Sequence, residues 1–326
     1  MDFLHALSSN LLSPAVLFFA LGLIAALTKS DLKFPEALYT ALTIYLLVAI
    51  GFKGGVAINQ AGLGVVWLPA LAAMTLGALI PLWTYPLLRF GGKFPAVDAA
   101  AIAAHYGSVS AVTFIAATNY LKAVNQPFEN YATAFLAVME SPAILVGVVL
   151  GKLATSKSGT PDMTSLKAAM HEALFGRSIF LLVGALVVGF LCGKPGMDKV
   201  EPFFVTPFQG VLALFLLEMG LVAGRRLEDL RKVGPFLLAF GIVMPLLHGC
   251  LGVWLGQFTG LSLGGATLLG VLAASASYIA APAAIRMSLP DANPTYYLTA
   301  SLAITFPFNI AIGIPIYFAL ARRLYS

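Results

Sequence analysis

The chain has 326 residues, of which 60% are hydrophobic and 10% charged, and its formal net charge is +5. Soluble domains carry about 25% charged residues, so this composition excludes a soluble globular protein and indicates a chain surrounded by lipid. The basic residues lie in the polar breaks between apolar stretches, where they are expected to set membrane orientation rather than to bind nucleic acid.

The apolar stretches are long enough to cross a bilayer as helices. A span needs about 20 mostly apolar residues, each rising about 1.5 Å along the helix axis. We therefore predict an all-α integral membrane protein with ten transmembrane helices. The predicted spans are 11–28, 36–58, 64–88, 97–119, 131–151, 176–193, 202–224, 235–257, 262–287 and 294–321.

A polar stretch from Lys152 to Phe175 separates the fifth span from the sixth. Its Ser, Thr, Gly and Pro content is typical of a linker. We therefore predict a first five-helix repeat at 1–151, a cytoplasmic linker at 152–175 and a second five-helix repeat at 176–326. Because five is odd, a second repeat with the same internal plan must enter the bilayer from the opposite side, which predicts a 5+5 inverted repeat.

Two pairs of motifs recur in these repeats at nearly the same offset. The second span of each repeat ends in a glycine-rich, charged segment, and Gly51 in the first lies 169 positions before Gly220 in the second. The fourth span of each carries a run of small and hydroxyl residues, GSVSAVT from 107 and ASASYIAAP from 274, with serines 167 positions apart. Because two separate features recur at nearly the same offset, an internal repeat is favoured over coincidence.

The serine-containing runs predict broken fourth and ninth helices, and Pro282 removes one helical hydrogen bond in the second of them. The N-terminus of a half-helix binds anions, while freed carbonyls and hydroxyls coordinate cations such as Na⁺. Runs of small residues also line close helix contacts in lipid. Since the two runs are related by the repeat, we favour a substrate site where they meet.

Two acidic residues lie away from the ends of predicted spans, Glu140 in the fifth and Glu218 in the seventh. A carboxylate is costly in the membrane and usually faces a cavity or a partner. Glu140 is expected to coordinate Na⁺, to carry a proton or to pair with Lys53. A structural ion pair or polar network is the alternative for both acidic residues.

Other polar residues in the spans have both a functional and a structural interpretation. His105 and His248 are candidates for a proton or anion contact, with helix packing as the alternative. Thr305, Pro307 and Asn309 form a further polar break in the tenth span. Asn309 is expected to hold a cation, to cap a broken helix or to form an interhelical hydrogen bond.

Lysine and arginine are unequally shared between the two sides of the ten-span topology. Thirteen fall on one side and five on the other, with Lys53 left inside or near the end of a span, and the side rich in basic residues is usually cytoplasmic. Both termini are therefore expected to lie outside. The chain has no HExxH, GxSxG or P-loop motif, so we expect neither an enzyme nor ATP-driven transport by this chain alone.

The segment Ala273–Pro294 (AASASYIAAPAAIRMSLPDANP), together with GSVSAVTFIAA from 107 and MESPAI around Glu140, resembles the sodium-dependent bicarbonate transporter family of the SbtA type. The resemblance covers nearly the whole chain. It implies a gate domain and a core domain, alternating access, and Na⁺-dependent bicarbonate symport across the bacterial inner membrane. It also implies a homotrimer and, for cyanobacterial members, regulation by a PII-like cytoplasmic protein.

The resemblance also implies site residues at the matching positions. Substrate contacts fall on Gly107, Ser108, Val109, Ser110, Ala274, Ser275, Ala276 and Ser277. Na⁺ contacts fall on Ser110, Thr113, Glu140 and Ser277. At Tyr278 this sequence differs from cyanobacterial members, which tend to have an acidic residue there.

Two other functions remain open at this point. One is Na⁺-coupled transport of another small anion, such as a carboxylate. The other is a channel or a non-transporting membrane receptor that binds a cytoplasmic partner.

Overall fold

The computed structural model describes residues 12–155 and 175–326, together with Lys167 and His171. Every regular element within these residues is a helix, as the composition predicts. The linker predicted at 152–175 falls largely outside the described residues and stays a prediction.

The helices are named in chain order. Those before the polar stretch are α1 (Pro14–Leu27), α2 (Glu36–Ala61), α3 (Leu63–Pro86), α4 (Ala96–Gly107), α5 (Ala111–Ala123) and α6 (Thr133–Thr155). Those after it are α7 (Arg177–Phe204), α8 (Phe208–Arg226), α9 (Leu230–Phe258), α10 (Leu263–Ala274), α11 (Ala280–Ser288), α12 (Pro294–Leu298), α13 (Phe306–Phe308) and α14 (Ile314–Leu324). The π-helical turns Thr299–Thr305 and Asn309–Gly313 join α12, α13 and α14 into one continuous helical segment.

Seven helical segments among the described residues are long and apolar enough to cross a bilayer, so the protein is a multi-pass membrane protein. They are Glu36–Ala61, Leu63–Gly91, Ala96–Ala123, Asn130–Ala154, Ile179–Phe204, Phe208–Phe258 and Pro294–Leu324. Ten single spans are predicted, and the count differs for three reasons. The first span is short at Val16–Leu27, and the ninth is interrupted after Leu263–Ala274. The seventh and eighth run together over 51 residues, with a kink at Gly234, whose φ of 77° and ψ of 166° are non-helical.

Glycines bring α1 against α8 and α2 against α7. A Cβ atom at Gly55 of α2 would overlap the carbonyl oxygen of Leu186 on α7, and one at Gly220 of α8 would overlap the carbonyl oxygen of Phe19 on α1. Small residues permit this close backbone approach between helices in lipid. The two contacts are reciprocal, because the second helix on each side of the polar stretch packs against the first helix on the other side.

The remaining helices pack around the two interrupted spans. α4 lies against α3 and α6, and α10 lies against α9 and α14. The hydroxyl of Tyr106 on α4 lies 2.7 Å from that of Thr305, which donates to the carbonyl oxygen of Gly241 on α9 at 2.7 Å. This buried chain of hydrogen bonds connects the two groups of helices beside the interruptions.

Both interruptions occur where the sequence predicts broken helices. α4 and α10 each have 12 residues, and they end 167 positions apart, at Gly107 and Ala274. The next residue is extended in both cases, with φ −80° and ψ 172° at Ser108 and φ −83° and ψ 166° at Ser275. The helix resumes at Ala111 in the first case and at Ala280 in the second.

Candidate functional site

The two interrupted segments cross and are joined by two hydrogen bonds, one between backbone groups and one from a backbone amide to a serine hydroxyl. The amide of Ser277 donates to the carbonyl oxygen of His105 at 2.9 Å, and the amide of Ser110 donates to Oγ of Ser275 at 2.9 Å. Non-helical backbone inside a membrane protein is tolerated where protein buries it and its polar groups find partners. These bonds therefore stabilise the crossing itself.

Two serine hydroxyls cap the half-helices that leave the crossing. Oγ of Ser110 accepts from the amide of Thr113 at 3.1 Å, at the start of α5, and Oγ of Ser277 accepts from the amide of Ala281 at 3.2 Å, at the start of α11. A hydroxyl has one hydrogen and two lone pairs. Each serine thus keeps a hydrogen for an anion and a lone pair for a cation.

Ser108 and Ser275 hold equivalent places but are bonded differently. Oγ of Ser275 donates to the carbonyl oxygen of Leu272 at 2.8 Å and accepts from Ser110, so its hydrogen is already used. Oγ of Ser108 is buried without a hydrogen-bond partner among the described residues. The bond that would correspond to the one between Ser110 and Ser275 would run from the amide of Ser277 to Oγ of Ser108. It is absent because the amide of Ser277 donates to the carbonyl oxygen of His105 instead. Ser275 therefore has a structural role at the crossing.

Asn309 closes the end of α10. Its side-chain amide donates to the carbonyl oxygen of Ala274 at 2.8 Å, and its own oxygen accepts from the hydroxyl of Tyr317 at 3.0 Å. The carbonyl at a helix end has no partner within the helix. This bond both caps a broken helix and joins two helical segments, so two of the predicted roles for Asn309 are observed.

We expect Asn309→Leu to lower the unfolding temperature of the purified protein, because it leaves the carbonyl oxygen of Ala274 and the hydroxyl of Tyr317 buried without partners. The cost of an unsatisfied buried group is about 1–3 kcal/mol. Ser301→Ala is the matched control, since that hydroxyl bonds only to carbonyl oxygens of its own helical segment. Thermal unfolding in detergent checks this, and equal stabilities of the two variants would contradict it.

A small chamber of about 20 Å³ lies beside the crossing. Its polar lining residues are Ser110, Glu140, Ser277 and Tyr278. A water molecule needs roughly 10–15 Å³ of such volume, so the chamber accommodates one water-sized group or a single small cation. A planar anion of four heavy atoms requires the chamber to widen.

Glu140 is the acidic residue of this chamber and is 7% exposed. Its carboxylate forms no hydrogen bond or ion pair within the part of the chain that the structure describes. The predicted alternative of a Glu140–Lys53 pair is wrong, because Nζ of Lys53 lies 4.2 Å from the ring centre of Phe208 and makes no ion pair. Glu218 is also buried, but it lines another pocket, with Glu36 and Arg226.

Two larger cavities flank the chamber. The first, here called the Arg286 cavity, has a volume of about 510 Å³, and its lining includes Thr43, Ile144, Arg177, Tyr278 and Arg286. The second, here called the Lys53 cavity, has a volume of about 400 Å³, and its lining includes Ile50, Lys53, Lys122, Thr133 and Lys194.

The chamber lies between these cavities along two shared helices. On α2, Thr43 lines the Arg286 cavity, Leu47 the chamber and Ile50 the Lys53 cavity. On α6 the same order is Ile144, Glu140 and Thr133. Tyr278 and Ile279 line both the chamber and the Arg286 cavity, whereas no residue is shared with the Lys53 cavity.

The predicted site residues thus fall into two groups. Val109, Ser110, Glu140 and Ser277 line the chamber. The others are buried at the crossing without lining it: Gly107, Ser108, Thr113, Ala274, Ser275 and Ala276. The predicted Na⁺ contacts Ser110, Glu140 and Ser277 are therefore brought together at the chamber. Thr113 does not line it and contacts Ser110 through its backbone amide.

Sequence reasoning did not place Tyr39 and Thr43 at the site. They line the Arg286 cavity from α2 and precede Leu47 of the chamber at helical spacing. This i, i+4, i+8 stripe on one helix face is the signal that could have found them. Tyr278 was noted only for its difference from cyanobacterial sequences, yet its hydroxyl is buried near the hydroxyl of Ser110 without a well-formed hydrogen bond.

Both buried histidines have structural surroundings. Nδ1 of His105 lies 2.7 Å from the carbonyl oxygen of Ala101, and its ring stacks on Tyr297 at 4.4 Å between ring centres. Nε2 of His248 accepts from the indole N–H of Trp83 at 2.9 Å. Neither lines the chamber, so the packing alternative describes them.

The family model of the Na⁺-dependent bicarbonate transporter superfamily matches residues 14–322. The chain belongs to this superfamily. No curated protein matches the chain. The matched range contains both interrupted segments, the chamber and both flanking cavities, so the family match and the candidate site concern the same part of the molecule.

Proposed function

We propose that this protein is a Na⁺-dependent bicarbonate symporter that works by alternating access. The observation that carries the proposal is the chamber, where two hydroxyls and one unpaired carboxylate lie at crossed helix interruptions between two cavities. Superfamily membership supports Na⁺ and bicarbonate as the transported ions. An enzymatic activity is not part of the proposal.

A ten-span, 5+5 inverted architecture goes with this proposal. The segment Phe208–Phe258 has 51 residues and is kinked at the non-helical backbone of Gly234. At about 1.5 Å per residue its helical parts together exceed twice a hydrocarbon core of about 30 Å. It therefore needs two crossings. Val16–Leu27 and the interrupted segment from Leu263 supply two more, and the reciprocal glycine contacts support the inverted relation of 1–151 to 176–326.

The chamber offers suitable chemistry for each ion. The carboxylate of Glu140 and the free lone pairs of Ser110 and Ser277 are oxygen ligands for Na⁺. The amide ends of α5 and α11, with the same hydroxyl hydrogens, favour a small oxyanion. Because the chamber holds only a water-sized group, binding of bicarbonate requires the helices around it to separate, which is the movement that alternating access demands.

Topology and assembly complete the proposal. The basic residues Arg177 and Arg286 of the Arg286 cavity belong to the side predicted to be cytoplasmic, and Lys122 and Lys194 belong to the outer side. Both termini then lie outside the bacterial inner membrane. A homotrimer and a PII-like cytoplasmic regulator are carried over from the family resemblance as expectations.

Uptake of labelled bicarbonate into proteoliposomes, with inward Na⁺ or choline gradients, tests the proposal. We expect uptake only with Na⁺, and at least a tenfold loss in Ser110→Ala and in Ser277→Ala, because each removes one oxygen from the chamber. Ser301→Ala is the control and should retain uptake within about twofold. Uptake that is absent, indifferent to Na⁺ or unchanged in both chamber variants would reject the proposal.

A second candidate substrate is a small carboxylate. The Arg286 cavity, at about 510 Å³ with two arginines in its lining, has room and charge for an organic anion larger than bicarbonate. A competition assay distinguishes the two substrates. If acetate or a larger carboxylate inhibits Na⁺-dependent uptake of labelled bicarbonate more strongly than unlabelled bicarbonate does, the carboxylate is the substrate.

A further inference from the structure

Lys53 is a lysine within a membrane-spanning helix that has no acidic partner. It lies on α2, is partly buried, and forms no ion pair within the described residues. Its recorded partner is the face of the Phe208 ring, with Nζ 4.2 Å from the ring centre. Ionisable residues within spans are costly and usually mark the path of a charged ligand.

The lining of the cavity around Lys53 carries more positive than negative charge, with three lysines and two carboxylates. Lys122 and Lys194 line the same cavity, and the ammonium group of Lys122 is near enough to repel that of Lys53. Asp198 and Glu201 also line the cavity, yet neither forms an ion pair with these lysines. An anion between the ammonium groups would relieve their repulsion.

The threonine hydroxyls that line this cavity already donate hydrogen bonds to backbone carbonyl oxygens. The hydroxyl of Thr118 donates to the carbonyl oxygen of Ile115 at 2.8 Å, and that of Thr133 donates to the carbonyl oxygen of Asn130 at 2.6 Å. Neither hydroxyl has a hydrogen left for a ligand. The side-chain amides of Gln60 and Asn130 also line the cavity, but only the lysine ammonium groups carry positive charge. Recognition of an anion there therefore depends mainly on the ammonium groups, in contrast to the hydroxyl-lined chamber, and does not need Na⁺.

We propose that the Lys53 cavity holds a second, Na⁺-independent binding site for a small monovalent oxyanion, centred on Lys53 and assisted by Lys122. The inference rests on the proposed anion transport and adds a point at which the anion is held before it reaches the chamber. Ile50 and Thr133 of this cavity lie about one helical turn from Leu47 and Leu136 of the chamber. The site thus concentrates the anion next to the chamber.

Sodium-free binding separates this site from the chamber. Purified protein is titrated with choline bicarbonate in choline chloride of constant ionic strength, and the unfolding temperature is followed. We expect bicarbonate to stabilise the wild type, with an apparent Kd at least tenfold weaker in Lys53→Met, equivalent to about 1.4 kcal/mol. Lys122→Met, at an exposed position, should weaken binding about threefold, and Lys53→Arg should restore most of it.

Lys199→Met is the matched control, because Lys199 lies on α7 near Lys194 but lines a different pocket. It should bind bicarbonate as the wild type does. In proteoliposomes with saturating Na⁺, Lys53→Met should raise the KM for bicarbonate with Vmax within about twofold. Absence of stabilisation in the wild type, or equal binding by wild type, Lys53→Met and Lys122→Met, would overturn the inference.

The two proposals fail in different ways. Na⁺-dependent uptake with no Lys53-dependent binding would leave the transport function standing and reject the second site. Lys53-dependent binding in a wild type that takes up no bicarbonate would support the second site and reject the transport function.

Discussion

Glu140→Gln is expected to abolish Na⁺-dependent uptake, with a loss of at least tenfold at any Na⁺ concentration that saturates the wild type. Glutamine has nearly the same shape but cannot supply the negative charge that the chamber offers to a cation. The protein should still fold, because the carboxylate of Glu140 has no hydrogen bond or ion pair with the described residues to lose. Initial rates of bicarbonate uptake against Na⁺ concentration measure the effect.

Glu218→Gln is the control for this change. Glu218 is buried to a similar extent, at 8% exposed against 7% for Glu140, but it does not line the chamber. Its variant should keep the Na⁺ dependence of the wild type. If Glu140→Gln transports with an unchanged Na⁺ dependence, the carboxylate is not a ligand and the chamber is not the Na⁺ site.

Leucine at Gly55 or at Gly220 is expected to prevent stable folding. The added side chain would meet backbone atoms of the neighbouring helix, Leu186 on α7 in the first case and Phe19 on α1 in the second. Backbone atoms cannot rotate away, so the helices must separate. Overpacking typically costs about 1–3 kcal/mol, and we expect at least about 3 kcal/mol here, seen as a loss of monodisperse protein after detergent extraction.

Gly184→Leu on α7 is the matched control, since nothing lies within 4 Å of a Cβ atom there. It should be extracted in the same yield as the wild type. The two disruptive variants should also resemble each other, because Gly55 and Gly220 make reciprocal contacts. A well-folded variant at one of these positions would show that the two contacts are not equivalent.

The sequence determined the membrane class and the positions of the interruptions. Lipid surroundings follow from composition alone, because so few charged residues cannot cover the surface of a soluble protein of this size. Small and hydroxyl residues around Ser110 and Ser277 indicated where a helix can stop and have its polar groups satisfied. The glycine offset likewise pointed to Gly51 and Gly220, which lie in the reciprocal helix contacts.

The count of ten spans stays a prediction, because long helical segments do not by themselves show how often the chain crosses the bilayer. The 3₁₀ turn Leu227–Asp229 joins α8 to α9, although the backbone of Gly234 near the start of α9 is non-helical, and α10 stops after 12 residues. Both outcomes depend on local backbone geometry. The 5+5 arrangement therefore remains a proposal supported by packing.

Only the tertiary structure decided which polar residues are free. Ser108 and Ser275 look equivalent in sequence, yet Ser275 is committed to the crossing because the other segment supplies its second partner. Glu140 faces the chamber and Lys53 a separate cavity, although both are charged residues in spans. Spacing along one helix predicts on which face of the helix a side chain lies. It does not predict what the side chain contacts there, because the contacting residues lie more than a hundred positions away in the sequence.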